Sequence, residues 1–174
     1  MNAIELFSFQ FHRVQDYYLV TLKDIEPETM KWQPLKNANS VGFLLWHILR
    51  TWDSYLQFVD GSEQLYDQNN LSQKFGFATE GKGVGGSGVG TGFTPEEAAD
   101  VIPQPAPLNE YLTALAQRTR SYLSQASEKD LGREVQVPWW PAPSTVSGVL
   151  THILAHSFMH LGEAQYIKGM VTGA

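Results

Sequence analysis

The sequence predicts an all-α protein, a four-helix bundle in which a long crossover connects helices 2 and 3. Three observations carry this expectation. Four long segments repeat apolar side chains every three or four residues, the period of a helix that buries one face. No segment alternates apolar and polar residues for long enough to make a convincing strand. The connection between the second and third segments, from about Gly61 to Pro107, is too long for a hairpin and suits a crossover spanning the bundle.

The first helix is expected from Ala3 to about Ile25, with Phe7, Phe11, Val14, Tyr18 and Leu22 on its inner face. Glu26-Pro27-Glu28 ends it, and Trp32-Gln33-Pro34 marks an extended turn. Ser40 is the N-cap of the second helix, which runs to about Asp60-Gly61. Its apolar face, including Val41, Leu44, Leu45, Ile48, Trp52 and Leu56, is broad enough to require heavy burial. Inside the crossover, Thr94-Pro95-Glu96-Glu97 combines a cap, a first-turn proline and acidic residues, and so predicts a short helix. The third helix is placed from Leu108, after Pro103-Gln104-Pro105-Ala106-Pro107, to about Ala126. The fourth starts at Ser144 or Thr145, beyond the cluster Pro138-Trp139-Trp140-Pro141-Ala142-Pro143, and runs to about Met170.

With 174 residues, the chain is expected to form a single domain, residues 1–174, with a real core. A net charge of −6 without a Lys/Arg cluster argues against nucleic acid or an anionic membrane as partner. The absence of cysteine excludes disulfides, thiolate metal ligands and a cysteine nucleophile, and fits a reducing, cytoplasmic setting. The N-terminal residues lack the pattern of a signal peptide, and the apolar run Val41–Leu49 is too short to span a bilayer.

The candidate chemistry lies in the histidines. His152, His156 and His160 follow one another at intervals of four on the fourth helix, and His47 lies inside the second. Residues four apart stack on one helix face, so two imidazoles there and one from a neighbouring helix make three ligands for a single ion. With each residue advancing about 100°, His160 falls about 50°, His156 about 90° and His152 about 130° from the apolar centre of the fourth helix. The pair His156/His160 is therefore preferred, and His152 is expected to drift outward and be dispensable for metal. Periodicity permits His47 to face inward without demanding it. Neutral imidazole suits zinc, nickel, copper or iron(II). Glu163 is a candidate to orient a ligand or act as a base, against the plainer reading of an exposed helical glutamate. His12 reads as a surface or packing residue. No serine stands in a nucleophile-elbow context.

Two glycine patterns are near matches to phosphate-binding loops. Gly76–Lys82 nearly matches a phosphate loop and Gly81–Gly86 matches GxGxxG, but Gly83 stands where a magnesium-binding hydroxyl is needed. Neither a preceding strand nor a following helix is predicted. With seven glycines in twelve residues, the segment Gly81–Gly92 is expected to be mobile and to bind no nucleotide.

Asn39-Ser40-Val41-Gly42-Phe43-Leu44-Leu45-Trp46-His47-Ile48-Leu49-Arg50-Thr51-Trp52-Asp53 and His156-Ser157-Phe158-Met159-His160-Leu161-Gly162-Glu163 resemble the two signature helices of the DinB-like superfamily. The likeness extends to Glu26–Pro34 and covers most of the chain. It implies a four-helix bundle with a crossover and a divalent metal, zinc or nickel foremost and iron next, held at positions matching His47, His156 and His160. It also implies relatives that are transferases or isomerases using a low-molecular-weight thiol, or hydrolases. The resulting expectation is a metal-dependent enzyme acting on a small-molecule substrate; a homodimer is one candidate assembly, and the sequence leaves the oligomeric state open. The competing reading is a non-catalytic metal-binding or protein-interaction module. Trp46, Trp139, Trp140 and Phe158 are candidates to shape a substrate pocket, against a plain core role.

Overall fold

The computed structural model describes residues 1–173 and is all-α apart from one pair of two-residue strands. Its four long helices are α1 (Ala3–Leu22), α3 (Val41–Asp60), α7 (Pro105–Gln125) and α9 (Val146–Thr172). Each packs against two of the others: α3 lies between α9 and α7, and α1 closes the ring against the same two. The predicted bundle and the long connection between its second and third members are therefore both present. No helix among the described residues is long and apolar enough to cross a membrane.

Local chemistry explains where the long helices begin. Asn2 caps α1 by accepting from the Glu5 amide at 2.8 Å, while the Glu5 carboxylate accepts from the Asn2 amide at 3.0 Å. Ser40 caps α3 through the Phe43 amide, and Thr145 caps α9 through the Gly148 amide. Helix α7 starts earlier than its sequence suggested, at Pro105. Proline has no amide hydrogen to lose in a first turn, where that hydrogen has no helical partner, so Pro105 and Pro107 enter the helix instead of preceding it. Conversely, α1 stops at Leu22, short of Ile25, which is buried beyond the end of the helix.

The break expected at Glu26-Pro27-Glu28 opens a short helix, α2 (Pro27–Lys31), again started by a proline, and Trp32-Gln33-Pro34 follows outside any helix, with Trp32 extended as expected. It lies so close to α3 that a Cβ on Gly42 would come within 2.8 Å of the Met30 carbonyl oxygen, which explains glycine in the first turn of α3. The crossover holds α4 (Leu65–Gln68), α5 (Leu71–Phe75), a 3-10 turn at Val84–Gly86 and α6 (Pro95–Ala99). Only α6 was anticipated, at its capping box Thr94/Glu97. Beyond α7 come α8 (Glu128–Leu131), then β1 (Glu134–Val135) pairing antiparallel with β2 (Ser144–Thr145). That pair brackets the Trp139-Trp140 loop and feeds directly into α9.

Helix α3 is the buried element: Leu44, Leu45, Trp46, Ile48, Leu49, Trp52 and Leu56 are all inaccessible. Two buried hydrogen bonds fix its neighbours, from the Tyr18 hydroxyl to the Leu45 carbonyl at 3.1 Å and from Trp52 Nε1 to Thr119 Oγ1 at 3.0 Å. On the side facing α7, Asp53 is fully buried and organises a polar network. It accepts from the Tyr111 hydroxyl at 2.6 Å and from the Leu65 and Tyr66 amides at 3.0 and 2.8 Å. Arg118 reaches it at 3.4 Å and also clasps Asp60, while Arg50 lies over the Tyr66 ring. Burial pushes the Asp53 carboxyl upward, opposed by those donors and by Arg50. The network ties the start of the crossover to α3 and α7.

Candidate metal centre

Helices α3 and α9 face each other with their histidines in opposition. His47, His156 and His160 each offer a ring nitrogen, and these atoms lie within 4.8 Å of one another. His47 Nε2 and His156 Nε2 are 3.0 Å apart, and the three rings pack edge to face at centroid separations of 4.4 to 5.1 Å. His47 is buried, whereas His156 and His160 are partly exposed along the opening.

The far nitrogens of two rings are already committed. The Val89 carbonyl can only accept, so His47 donates its Nδ1 hydrogen there and presents a lone pair at Nε2. The Glu163 carboxylate accepts from His160 Nδ1 at 2.7 Å, which leaves His160 Nε2 free to face the cluster. Glu163 remains half exposed, so the two readings of it meet: a solvent-facing glutamate that also holds an imidazole in place.

The electrostatics favour neutral rings. Burial lowers the His47 pKa from 6.5 to about 4, with Val89 acting in the opposite direction. Burial and then the neighbouring imidazoles lower His156 to about 2. Neutral imidazole is the form that binds metal. A single proton between His47 and His156 satisfies those two nitrogens but leaves His160 Nε2 without a partner among the described residues. A divalent cation satisfies all three together. Two imidazole nitrogens bound to one ion at about 2.1 Å stand roughly 3.0 to 3.4 Å apart, and the observed 3.0 Å fits.

These lowered values set a sign for the metal-free protein. Above pH 6.5 His47 is neutral whether the chain is folded or not. Below it the unfolded chain takes up a proton that the folded chain refuses until about pH 4. Stability therefore falls across that window, by about 2 kcal/mol at pH 5 for His47 alone. Urea unfolding of chelator-treated protein at pH 7 and pH 5 should show the loss, and it should shrink in His47→Ala.

The glycine-rich crossover departs from expectation. Residues 84–87 are exposed, but Gly88–Gly90 are buried against the site: the Val89 carbonyl holds His47. Gly90 has φ +103°, and a Cβ there would lie 2.7 Å from His47 Nδ1 and 3.2 Å from the Phe43 ring. Gly90→Ala should therefore displace either the loop or the imidazole and weaken metal binding about tenfold or more, as loss of a supporting contact does. Competition with a chromogenic chelator measures this. Within the Gly81–Gly86 pattern the chain forms only the 3-10 turn Val84–Gly86.

The three imidazoles open into a pocket of about 410 Å³ whose walls include Asn39, Phe43, Thr51, Tyr55, Phe93 and Gly90. His152 lines it too. The outward drift expected for His152 is corrected here, because its ring packs at 4.6 Å from Tyr55 and 5.3 Å from Trp140. It nevertheless stays out of the three-nitrogen cluster. The cause is that α3 and the Trp139-Trp140 loop cover a sector of α9 that a single helical wheel treats as solvent. His12 is exposed, 3.8 Å from Asp16. Among the candidate aromatics, Trp46 is core and Phe158 packs toward Tyr17, so neither lines the pocket, whereas Trp140 backs its far end through His152. Sequence reasoning missed Val89 and Gly90, and gave Thr51 and Tyr55, which neighbour His47 on its helix, no role in the site. Thr51 and Tyr55 were legible as continuations of His47 at intervals of four.

The sequence profile described as DinB superfamily matches residues 10–164. The chain belongs to the DinB superfamily. A crystal structure titled as the conserved protein of locus from Enterococcus faecalis superposes with a TM-score of 0.84 at 27% identity, covering 100% of this chain and 99% of that one. No functionally curated protein matches the chain. In this superfamily member the stretches that resembled the signature helices are those that carry His47 on α3 and His156 and His160 on α9.

Proposed function

We propose that this protein is a metal-dependent enzyme whose divalent ion, zinc or nickel foremost and iron next, is held by His47, His156 and His160. One observation carries the proposal: the three imidazoles converge in the wall of one pocket, and no fourth histidine, aspartate or glutamate joins them among the described residues. Structural zinc sites are closed by four protein ligands, whereas a site that keeps positions open for substrate has three.

A bound divalent cation supplies Lewis acidity, polarising a carbonyl or holding a thiol as thiolate. The chain's own residues do the rest. Val89 and Glu163 fix the tautomers of His47 and His160, so that both rings aim Nε2 at one point. Phe43, Phe93 and Gly90 form an apolar wall beside the histidines. Membership of the superfamily supports a small-molecule substrate that undergoes thiol-dependent transfer or isomerisation, or hydrolysis. A cytoplasmic location fits a thiol co-substrate.

The deciding experiment loads the protein separately with zinc, nickel and iron(II), then screens thiol transfer and ester or amide hydrolysis. Turnover that disappears on chelation, with helical circular dichroism retained, is the expected result, because a bundle core of this size stands without its ion. Global unfolding on chelation would instead mark a structural ion. A stable fold without metal-dependent turnover would favour the binding-module reading.

A further inference from the structure

The groove between α3 and α9 has two ends. Phe43, His47, Thr51 and Tyr55 follow one another at intervals of four along α3, and His160, His156 and His152 run antiparallel on α9. The imidazole cluster occupies one end. Tyr55 lies toward the other, eight residues and about 12 Å along the axis of α3 from His47, and His152 stands beside it with its ring 6.2 Å from that of His156.

The hydrogen bonding of Tyr55 is one-sided. Its oxygen accepts from Trp139 Nε1 at 2.8 Å and from Trp140 Nε1 at 3.2 Å. Both lone pairs are thereby used, and the phenolic hydrogen is the one hydrogen-bonding function left. Among the described residues it finds no acceptor. Two consecutive tryptophans, presented by the loop that β1 and β2 bracket, thus fix a phenol so that it can only donate. His152, with its ring centroid 4.6 Å from that of Tyr55, likewise has no hydrogen-bond partner among the described residues. Its neutral ring carries one N–H to donate.

We propose that this end of the groove is a recognition subsite for a hydrogen-bond acceptor oxygen, a carboxylate or carbonyl, on a substrate whose reacting group lies at the three histidines. The proposal rests on the metal-centre reading and adds to it a length and a head-group chemistry. Substrates should be elongated, with an apolar middle passing Thr51 and an oxygen acceptor held by the Tyr55 hydroxyl and His152. Tyr55 and His152 bind and orient the substrate, with His152 on the side nearer the histidine cluster.

The test uses cobalt-loaded protein and 6-mercaptohexanoate, with hexanethiol and the methyl ester of 6-mercaptohexanoate as comparison probes. Calorimetry gives affinity, the cobalt spectrum reports the thiol end, and the Trp139 and Trp140 indole NMR signals report the other. The carboxylate probe should bind about tenfold or more tightly than hexanethiol. A comparable gain with the ester would identify a carbonyl as sufficient, and no gain would identify the carboxylate. Tyr55→Phe should remove most of the advantage over hexanethiol. His152→Ala, which leaves both indoles their acceptor, should reduce it independently, and metal content should be unchanged in both. Equal affinity for hexanethiol and the oxygen-bearing probes, or full retention of the difference in both variants, would overturn the subsite. Indole shifts on adding 6-mercaptohexanoate to metal-free protein would support it even if cobalt fails to bind, an outcome that would overturn only the metal-centre reading.

Discussion

His156→Ala should bind no stoichiometric metal. Its Nε2 lies 3.0 Å from His47 Nε2, and the ring packs against His47 on one side and His160 on the other. Removing it leaves two donors and a gap through which water reaches both, and no neighbouring acid is placed to substitute. The variant should remain folded. His156 is partly exposed at the pocket, and its neutral ring contributes packing with no buried charge that would be left unpaired. Elemental analysis of the purified variant, alongside wild type and His152→Ala, measures this. Wild type and His152→Ala should each carry about one ion per chain under the three-ligand arrangement. Full occupancy in His156→Ala would show that the ligands are other residues.

The largest stability effect is expected at Asp53. Truncation to alanine leaves the Tyr111 hydroxyl and the Leu65 and Tyr66 amides without their acceptor, and leaves Arg50 and Arg118 without the buried carboxylate between them. Breaking a buried ion pair from one side costs about 3 to 5 kcal/mol. Arg118 keeps Asp60 at 2.7 Å, which places the loss toward the lower end. Urea unfolding of Asp53→Ala should show a fall of this size, whereas Asp53→Asn, which retains one acceptor oxygen, should lose less. Because the network anchors the start of the crossover, the same variant should bind metal more weakly as the Val89 carbonyl loses its fixed position. A wild-type midpoint in Asp53→Ala would mean that the network contributes no net stability.

These expectations separate what is local in the chain from what is not. The helices were legible because capping and periodicity are properties of adjacent residues: Ser40 before α3, Thr94/Glu97 around α6 and Thr145 before α9 each act within one turn. Where boundaries shifted, the causes were finer. Pro105 and Pro107 are compatible with either a preceding loop or a first turn, and composition does not choose between them. The short helices α2, α4, α5 and α8 carry too few residues to show a period.

The sequence by itself determined the bundle, the candidate pair His156/His160 and the likeness to the superfamily, because helical period, spacing of four and motif are written in the order of residues. Spacing left His47 open, and only the likeness joined it to that pair. Only the tertiary structure decided what surrounds that pair. A wheel drawn for α9 alone sends His152 outward, but α3 and the tryptophan loop cover that sector and turn it into a pocket wall. Glycine content suggested a free loop, but the close approach of Gly90 to His47 and the Val89 carbonyl bond make it part of the site. Both outcomes depend on contacts between segments far apart in the chain. Such contacts follow from how apolar faces pack together and from which buried polar groups remain to be paired, and neither can be read from the spacing within any one segment.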